Sequence, residues 1–111
     1  MKFTITTREA DGITIFDLSG RMSFPDPHVQ KVLVERIKEG RKGFVINLVG
    51  VSYLDSYGLH DLVSAFSAVK AAGGGLVLLQ PNRNVRKTIE ITMKNVFEIF
   101  DDEAAAIEAV R

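Results

Sequence analysis

Polar and apolar residues alternate from the start of the chain. Phe3 and Ile5 are interleaved with Thr4 and Thr6, the period-two pattern of a half-buried strand. Asp11-Gly12 follows, a pair that favours a two-residue hairpin turn. The apolar run from Ile13 to Leu18 predicts a second strand, which Gly20 is expected to end. Residues 1–20 therefore predict an antiparallel pair. The period then changes. Pro25-Asp26-Pro27 marks a turn into a helix, because proline suits a first helical turn and not an interior. Val29, Val32, Leu33 and Ile37 fall on one face of that helix, and Gly40 stops it.

Phe44-Val45-Ile46-Asn47-Leu48-Val49 is nearly all apolar and rich in branched side chains. That is the composition of a strand covered on both faces, as in a parallel sheet. Leu54 to His60 connects it to a second helix, in which Leu59, Leu62, Val63, Phe66 and Val69 share a side. His60, Asp61, Ser64, Ser67 and Lys70 share the other. Gly73-Gly74-Gly75 stops this helix, and Leu76 to Leu79 is another fully apolar strand. Pro81-Asn82 opens a third helix over Arg83 to Thr92. Val96 to Phe100 is a candidate last strand. Asp101-Asp102-Glu103 places negative charge where a terminal helix begins. Strands alternating with helices predict an α/β domain with a mixed sheet of four to five strands, parallel at its centre, and about four helices.

Composition narrows the function. A length of 111 residues, with 46% hydrophobic and 25% charged residues, suits one soluble domain. Fourteen basic residues balance fourteen acidic ones, so no net charge draws the molecule to nucleic acid or an anionic membrane. The absence of cysteine excludes a disulfide scaffold, a thiolate metal site and a cysteine nucleophile. No apolar run reaches the roughly 18–20 residues of a membrane span, and no signal peptide is evident. A cytoplasmic protein, monomer or weak dimer, is the expectation.

Enzyme chemistry finds little support. The triple glycine precedes a strand and lacks the Lys-Ser/Thr of a phosphate loop. His28 and His60 lack partners at metal-ligand spacing and read as surface histidines. Asp55, Ser56 and His60 are crowded into one segment, without the elbow of a serine hydrolase. No metal, cofactor or catalytic residue is expected. Arg83, Arg86 and Lys87 read as a solvated basic stripe balancing Glu90 and the acidic C-terminus. Asp55-Ser56 by itself reads as a helix N-cap.

A resemblance sharpens that last segment. Val45-Ile46-Asn47-Leu48-Val49-Gly50-Val51-Ser52-Tyr53-Leu54-Asp55-Ser56-Tyr57-Gly58-Leu59 is similar to the signature of STAS domains, specifically the anti-sigma factor antagonists. In these an apolar strand ends in a "DLSGVSFIDSSGL"-like sequence before a helix. Gly73-Gly74-Gly75 with Leu76 to Leu79, Asn84-Val85-Arg86-Lys87 and Phe97-Glu98-Ile99-Phe100-Asp101 resemble the family's later segments in the same order.

The resemblance implies a STAS fold and a partner-switching cycle. An anti-sigma factor that is also a serine kinase phosphorylates the serine after the motif's aspartate. A PP2C-type phosphatase reverses this, and the unphosphorylated form binds the anti-sigma factor. On this sequence the phosphoacceptor is Ser56, with Ser52 and Tyr57 as weaker candidates. The partner-facing set is Ser23, Asp55, Tyr57, Gly58, His60 and Asp61, with Gly58 expected to leave room for a partner's backbone. Two positions depart from the family pattern: Tyr57 replaces a second small hydroxyl residue, and Ser23 stands where an aspartate is common. Phe24-Pro25-Asp26-Pro27 is also unusual. Two alternatives stay open. One is a non-switching adaptor in a stressosome-like scaffold or a lipid-transport ABC system, and the other is a small ligand- or nucleotide-binding domain.

Overall fold

The computed structural model of the chain describes residues 2–25, 27–93 and 95–111. The elements run β1 (Thr4–Ala10), β2 (Ile13–Met22), α1 (Val29–Lys38), β3 (Gly43–Leu54), α2 (Ser56–Ala71), β4 (Gly75–Leu79), α3 (Arg83–Thr92), β5 (Ile99–Phe100) and α4 (Glu103–Val110). The five strands lie in sequence order in one sheet. β1 and β2 are antiparallel, joined through Asp11-Gly12 with Ala10 opposite Ile13. The β2–β3, β3–β4 and β4–β5 pairs are parallel. The mixed sheet with a parallel centre and four helices is the predicted architecture.

Alternate residues of the central strands explain the long apolar runs. Phe16, Leu18, Phe44, Ile46, Leu48, Leu76 and Leu78 pack under α1, α2 and α3, against Leu33, Leu62 and Ile89 among others. Ile13, Ile15, Val45, Val77 and Leu79 face the other way, onto Ala106 and Ile107 of α4. Both faces of β3 and β4 are therefore buried, as a parallel centre requires. α2 differs in detail from expectation. Ala65 is fully buried beside Leu59, Leu62 and Val69, whereas Val63 and Phe66 are only half-buried.

Two expected strand ends move, and they move together. β2 does not stop at Gly20 but continues to Met22, and β3 passes Val49 to reach Leu54. The β3–β4 pairing ends at Asn47 opposite Leu79, while β2 and β3 stay paired as far as Met22 opposite Leu54. The two strands thus project beyond the sheet as a ribbon. Register shifts between Asp17 and Ser19 and between Gly20 and Arg21 break the period of two. As a result Leu48, Val51 and Leu54, at a spacing of three, all reach the same core. Gly20 has φ +99°, and a Cβ there would collide with the Lys2 carbonyl. Its glycine serves this crossing and not a strand end.

Smaller differences lie elsewhere. α1 begins at Val29 with His28 as N-cap, so Pro27 precedes the first helical turn; Asp26 of the expected turn lies outside the described residues. The last strand shrinks to Ile99–Phe100. Asp102 caps α4 by accepting from the Ala105 N–H at 2.9 Å, with Glu103 in the first turn as expected. Arg86 of the basic stripe pairs with Asp101 at 2.6 Å.

On the α4 side, Arg8 ties three elements together. Its guanidinium donates to Asp17 of β2 at 2.7 and 3.3 Å and to Glu103 of α4 at 2.6 and 3.1 Å. The Asn47 amide adds a bond to Asp17 at 2.8 Å. Hydrogen bonding from Arg8 holds both carboxyls below their usual range, against a smaller opposing effect of burial. A depressed folded value contributes stability that is full above the unfolded carboxylate values, about 4, and is lost as pH falls through the folded ones. These groups are partly exposed, so the effect is modest. Thermal unfolding from pH 7 down to pH 2 should show a steeper acid decline for the wild type than for Arg8→Ala. Parallel curves would show that the network adds nothing to acid sensitivity.

Candidate functional site

The projecting ribbon ends where α2 begins, and backbone contacts fix that junction. Met22 lies opposite Leu54, and its carbonyl accepts from the Asp55 N–H at 3.3 Å. Asp55, in an extended conformation, caps α2: its carboxylate accepts from the Gly58 N–H at 2.9 Å, and its carbonyl accepts from the Leu59 N–H at 2.9 Å. The cap is therefore Asp55 and not Ser56. Ser56 is the first residue of the helix proper and is exposed.

Gly58 is placed differently from expectation. It is buried, and a Cβ there would collide with the Met22 carbonyl oxygen and lie 2.9 Å from both Leu54 Cδ1 and Met22 Cγ. The close approach that needs glycine is internal, between the first turn of α2 and the end of β2. Gly58 is buried, and its small size brings α2 onto the ribbon.

Asp61 is also used inside the fold. His28, the N-cap of α1, makes no side-chain capping bond. The Asp61 carboxylate supplies it from α2, accepting from Val29 N–H at 2.8 Å and Gln30 N–H at 3.2 Å. A helix start left with free N–H groups is thus satisfied from a neighbouring helix. The spacing of residues along α2 cannot reveal this, because the donors lie some thirty positions earlier. The bonds tie the start of α1 to α2.

That loop brings an unexpected residue to the site. Phe24 is 72% exposed, and its ring meets Tyr57 edge-on at 5.2 Å between centroids. Tyr57 and His60 are exposed, and Ser23 is half-buried where β2 ends. On the ribbon, Tyr53 is exposed and carries the Arg21 guanidinium 4.1 Å from its ring centroid. Val49 is exposed further along. Among the described residues, five large hydrophobic side chains are exposed, and Phe24, Val49, Tyr53 and Tyr57 all belong to the ribbon, loop and helix start that flank Ser56. The fifth, Ile91, lies on α3. Asn82 steadies the ribbon from the side, capping α3 through Val85 N–H at 2.8 Å while its amide donates to the Val51 carbonyl at 3.1 Å.

Of the expected site residues, the structure gathers Ser23, Asp55, Ser56, Tyr57 and His60 at one end of the sheet. It turns Gly58 and Asp61 to structural use. Phe24, Tyr53, Val49 and Arg21 were not among the expected set. An apolar loop residue beside prolines was the available signal for Phe24, whereas the exposure of Val49 and Tyr53 depends on the register shifts. Among the described residues no group of three or more potential ligands could hold a metal ion, and no helix is long and apolar enough to cross a membrane.

Asp61→Ala leaves the Val29 and Gln30 N–H groups without their acceptor, which should lower stability by about 1–2 kcal/mol. Their amide hydrogen exchange should accelerate more than that of the end of α1. Gly58→Ala forces a methyl group onto the Met22 carbonyl and should lower stability by about 1–3 kcal/mol. Denaturant unfolding checks both. A neutral Gly58→Ala would mean that α2 is not pressed against the ribbon.

Comparison with known proteins agrees with this architecture. The family model described as "STAS domain" matches residues 4–106. An anti-sigma-B factor antagonist of Listeria monocytogenes is 34% identical over 97 residues, covering 86% of this chain and 84% of that protein. Two solved structures share the fold. An anti-sigma factor antagonist from Mycobacterium paratuberculosis superposes with a TM-score of 0.86 at 21% identity, over 99% of this chain and 95% of that one. The Bacillus cell fate determinant SpoIIAA, in its phosphorylated form, superposes with a TM-score of 0.70 at 19% identity, over 99% and 100% of the two chains. The chain belongs to the STAS domain family, and within it to the anti-sigma factor antagonists.

Proposed function

We propose that this chain is a single-domain, cytoplasmic, non-enzymatic binding module that sequesters an anti-sigma factor acting as a serine kinase while Ser56 is unmodified. Phosphorylation of Ser56 releases that partner, and a PP2C-type phosphatase restores the binding form. The observation that carries this reading is the setting of Ser56. Its residue is exposed at the start of α2, on a backbone anchored to β2, and flanked by exposed Phe24, Tyr57 and Tyr53. Exposed aromatic clusters of this kind suit protein docking.

The chemistry balances simply. The Ser56 oxygen attacks the γ-phosphorus of ATP held by the kinase, ADP departs, and the hydroxyl proton passes to a kinase base. The phosphatase uses water to return serine and inorganic phosphate. The added group carries about −1.5 to −2 charge at neutral pH. Facing one partner carboxylate at ~6 Å, with an effective dielectric of ~40, it opposes docking by roughly 2–3 kcal/mol. That is close to a hundredfold in affinity. The phosphate stands at a helix start, where free N–H groups tolerate negative charge, so the fold need not open.

The Phe24–Tyr57 pair favours one second reading, a non-switching adaptor, because it makes the site bulkier than a family member with a small residue at 57. Incubation with an anti-sigma kinase and ATP, followed by peptide mass spectrometry, separates the two. The switching reading expects phosphate on Ser56, with Ser56→Ala retaining the partner in a pull-down and Ser56→Asp weakening it. Tight binding without any phosphate on Ser56 would favour the adaptor. Phe24→Ala should weaken capture at least several-fold in either case, since both readings dock through that aromatic surface.

A further inference from the structure

The projecting β2–β3 ribbon carries a single charge. Between Leu18 and Met22, and between Leu48 and Leu54, Arg21 alone is ionic. It lies directly opposite Tyr53 in the strand register, with its guanidinium carbon 4.1 Å from the ring centroid. Both residues are exposed. Arg8, Arg36, Arg41, Arg86 and Arg111 each meet a carboxylate of the fold. Among the described residues Arg21 has no such partner. The nearest carboxylate along the chain, Asp55, accepts from the Gly58 N–H at 2.9 Å. A guanidinium laid over an aromatic ring is attracted through one face. That leaves the N–H groups along its edge, a planar fork that matches a carboxylate.

We infer that Arg21, held on Tyr53, is a specificity-determining docking point that takes a carboxylate side chain of the protein that covers Ser56. This rests on the anti-sigma factor reading above and adds the chemistry by which the ribbon selects that partner. Tyr53 precedes Ser56 by three positions, so their Cα atoms lie within ~11 Å. A partner that buries ~800 Å² of this chain covers a patch about 30 Å across, wide enough to include both. Val49, exposed on the same strand, supplies an apolar neighbour. With no carboxylate of its own, the ribbon offers an acidic group one cation without local competition and repels a basic group. A guanidinium already restrained by the ring loses less freedom when the bond forms. Arg21 thus selects among partners by charge, while Ser56 decides when the selected partner stays.

The test is a calorimetric titration of the unmodified full chain and its ribbon variants with the anti-sigma factor kinase of the preceding experiment. Arg21→Gln should weaken binding about tenfold, and added salt should weaken it less than it weakens the wild type. Arg21→Glu should bind more weakly still, because two like charges then meet. Tyr53→Leu should cost the wild type more affinity than it costs Arg21→Gln, since the two residues act as a unit. A second measurement needs no partner. Nε–H relaxation of Arg21 in the free chain should show an ordered guanidinium that Tyr53→Leu releases. Equal affinities of the wild type and Arg21→Gln would overturn the inference. So would equal losses in Arg21→Gln and Arg21→Glu, which would show a packing contact and not a carboxylate. A guanidinium equally mobile with and without the Tyr53 ring would overturn it as well. Failure of the switching reading would look different: the serine and phosphoserine-56 forms would bind alike, while the losses at Arg21 remained.

Discussion

The contact between the first turn of α2 and the Met22 carbonyl governs the rest of the site. A glycine within a helix carries a penalty of up to about 1 kcal/mol relative to alanine. Here the absent methyl group lets α2 sit directly on the end of β2. The same carbonyl accepts from the Asp55 N–H, and Asp55 caps the turn through the Gly58 N–H. Three successive constraints therefore fall on residues 55 to 58. Inward-facing groups satisfy them, and Ser56 is left facing solvent with little freedom in its backbone.

From that junction the neighbouring elements are fixed in turn. Asp61, one and a half turns along α2, holds the start of α1. The exposed Phe24 ring meets Tyr57 in the first turn of α2. On the opposite side the β2–β3 ribbon carries Tyr53 and Arg21, supported by Asn82. Tyr53 and Tyr57 thus rest on elements tied to one another by hydrogen bonds, although each side chain is open to water. A surface of this kind loses little conformational freedom on binding, which favours affinity. The Arg8 network is different in kind. It braces β1, β2 and α4 on the other face of the sheet and takes no part in the proposed docking.

Much of the fold was legible because its period was regular. The apolar runs at Phe44–Leu48 and Leu76–Leu79 and the three-four spacing in α2 identify their elements directly. The ribbon was not legible. Its register shifts change the core spacing from two residues to three, so Gly50-Val51-Ser52-Tyr53 does not read as strand and Gly20 reads as a stop. The position of Ser56 was anticipated, whereas the uses of Gly58 and Asp61 were not. Both depend on contacts far away in sequence, with Met22 and with the start of α1. Polar spacing along one helix cannot distinguish a carboxylate offered to a partner from one that caps a neighbouring helix.

The central claim is that charge at one rigidly presented position controls docking without disturbing the fold. Calorimetric titration of an anti-sigma factor into the serine and phosphoserine-56 forms, together with thermal unfolding of both, tests it most directly. The account predicts an affinity about a hundredfold lower for the phosphoserine form, with closely matched unfolding temperatures. Equal affinities would contradict it, as would a loss of binding that arises only because the modified chain unfolds.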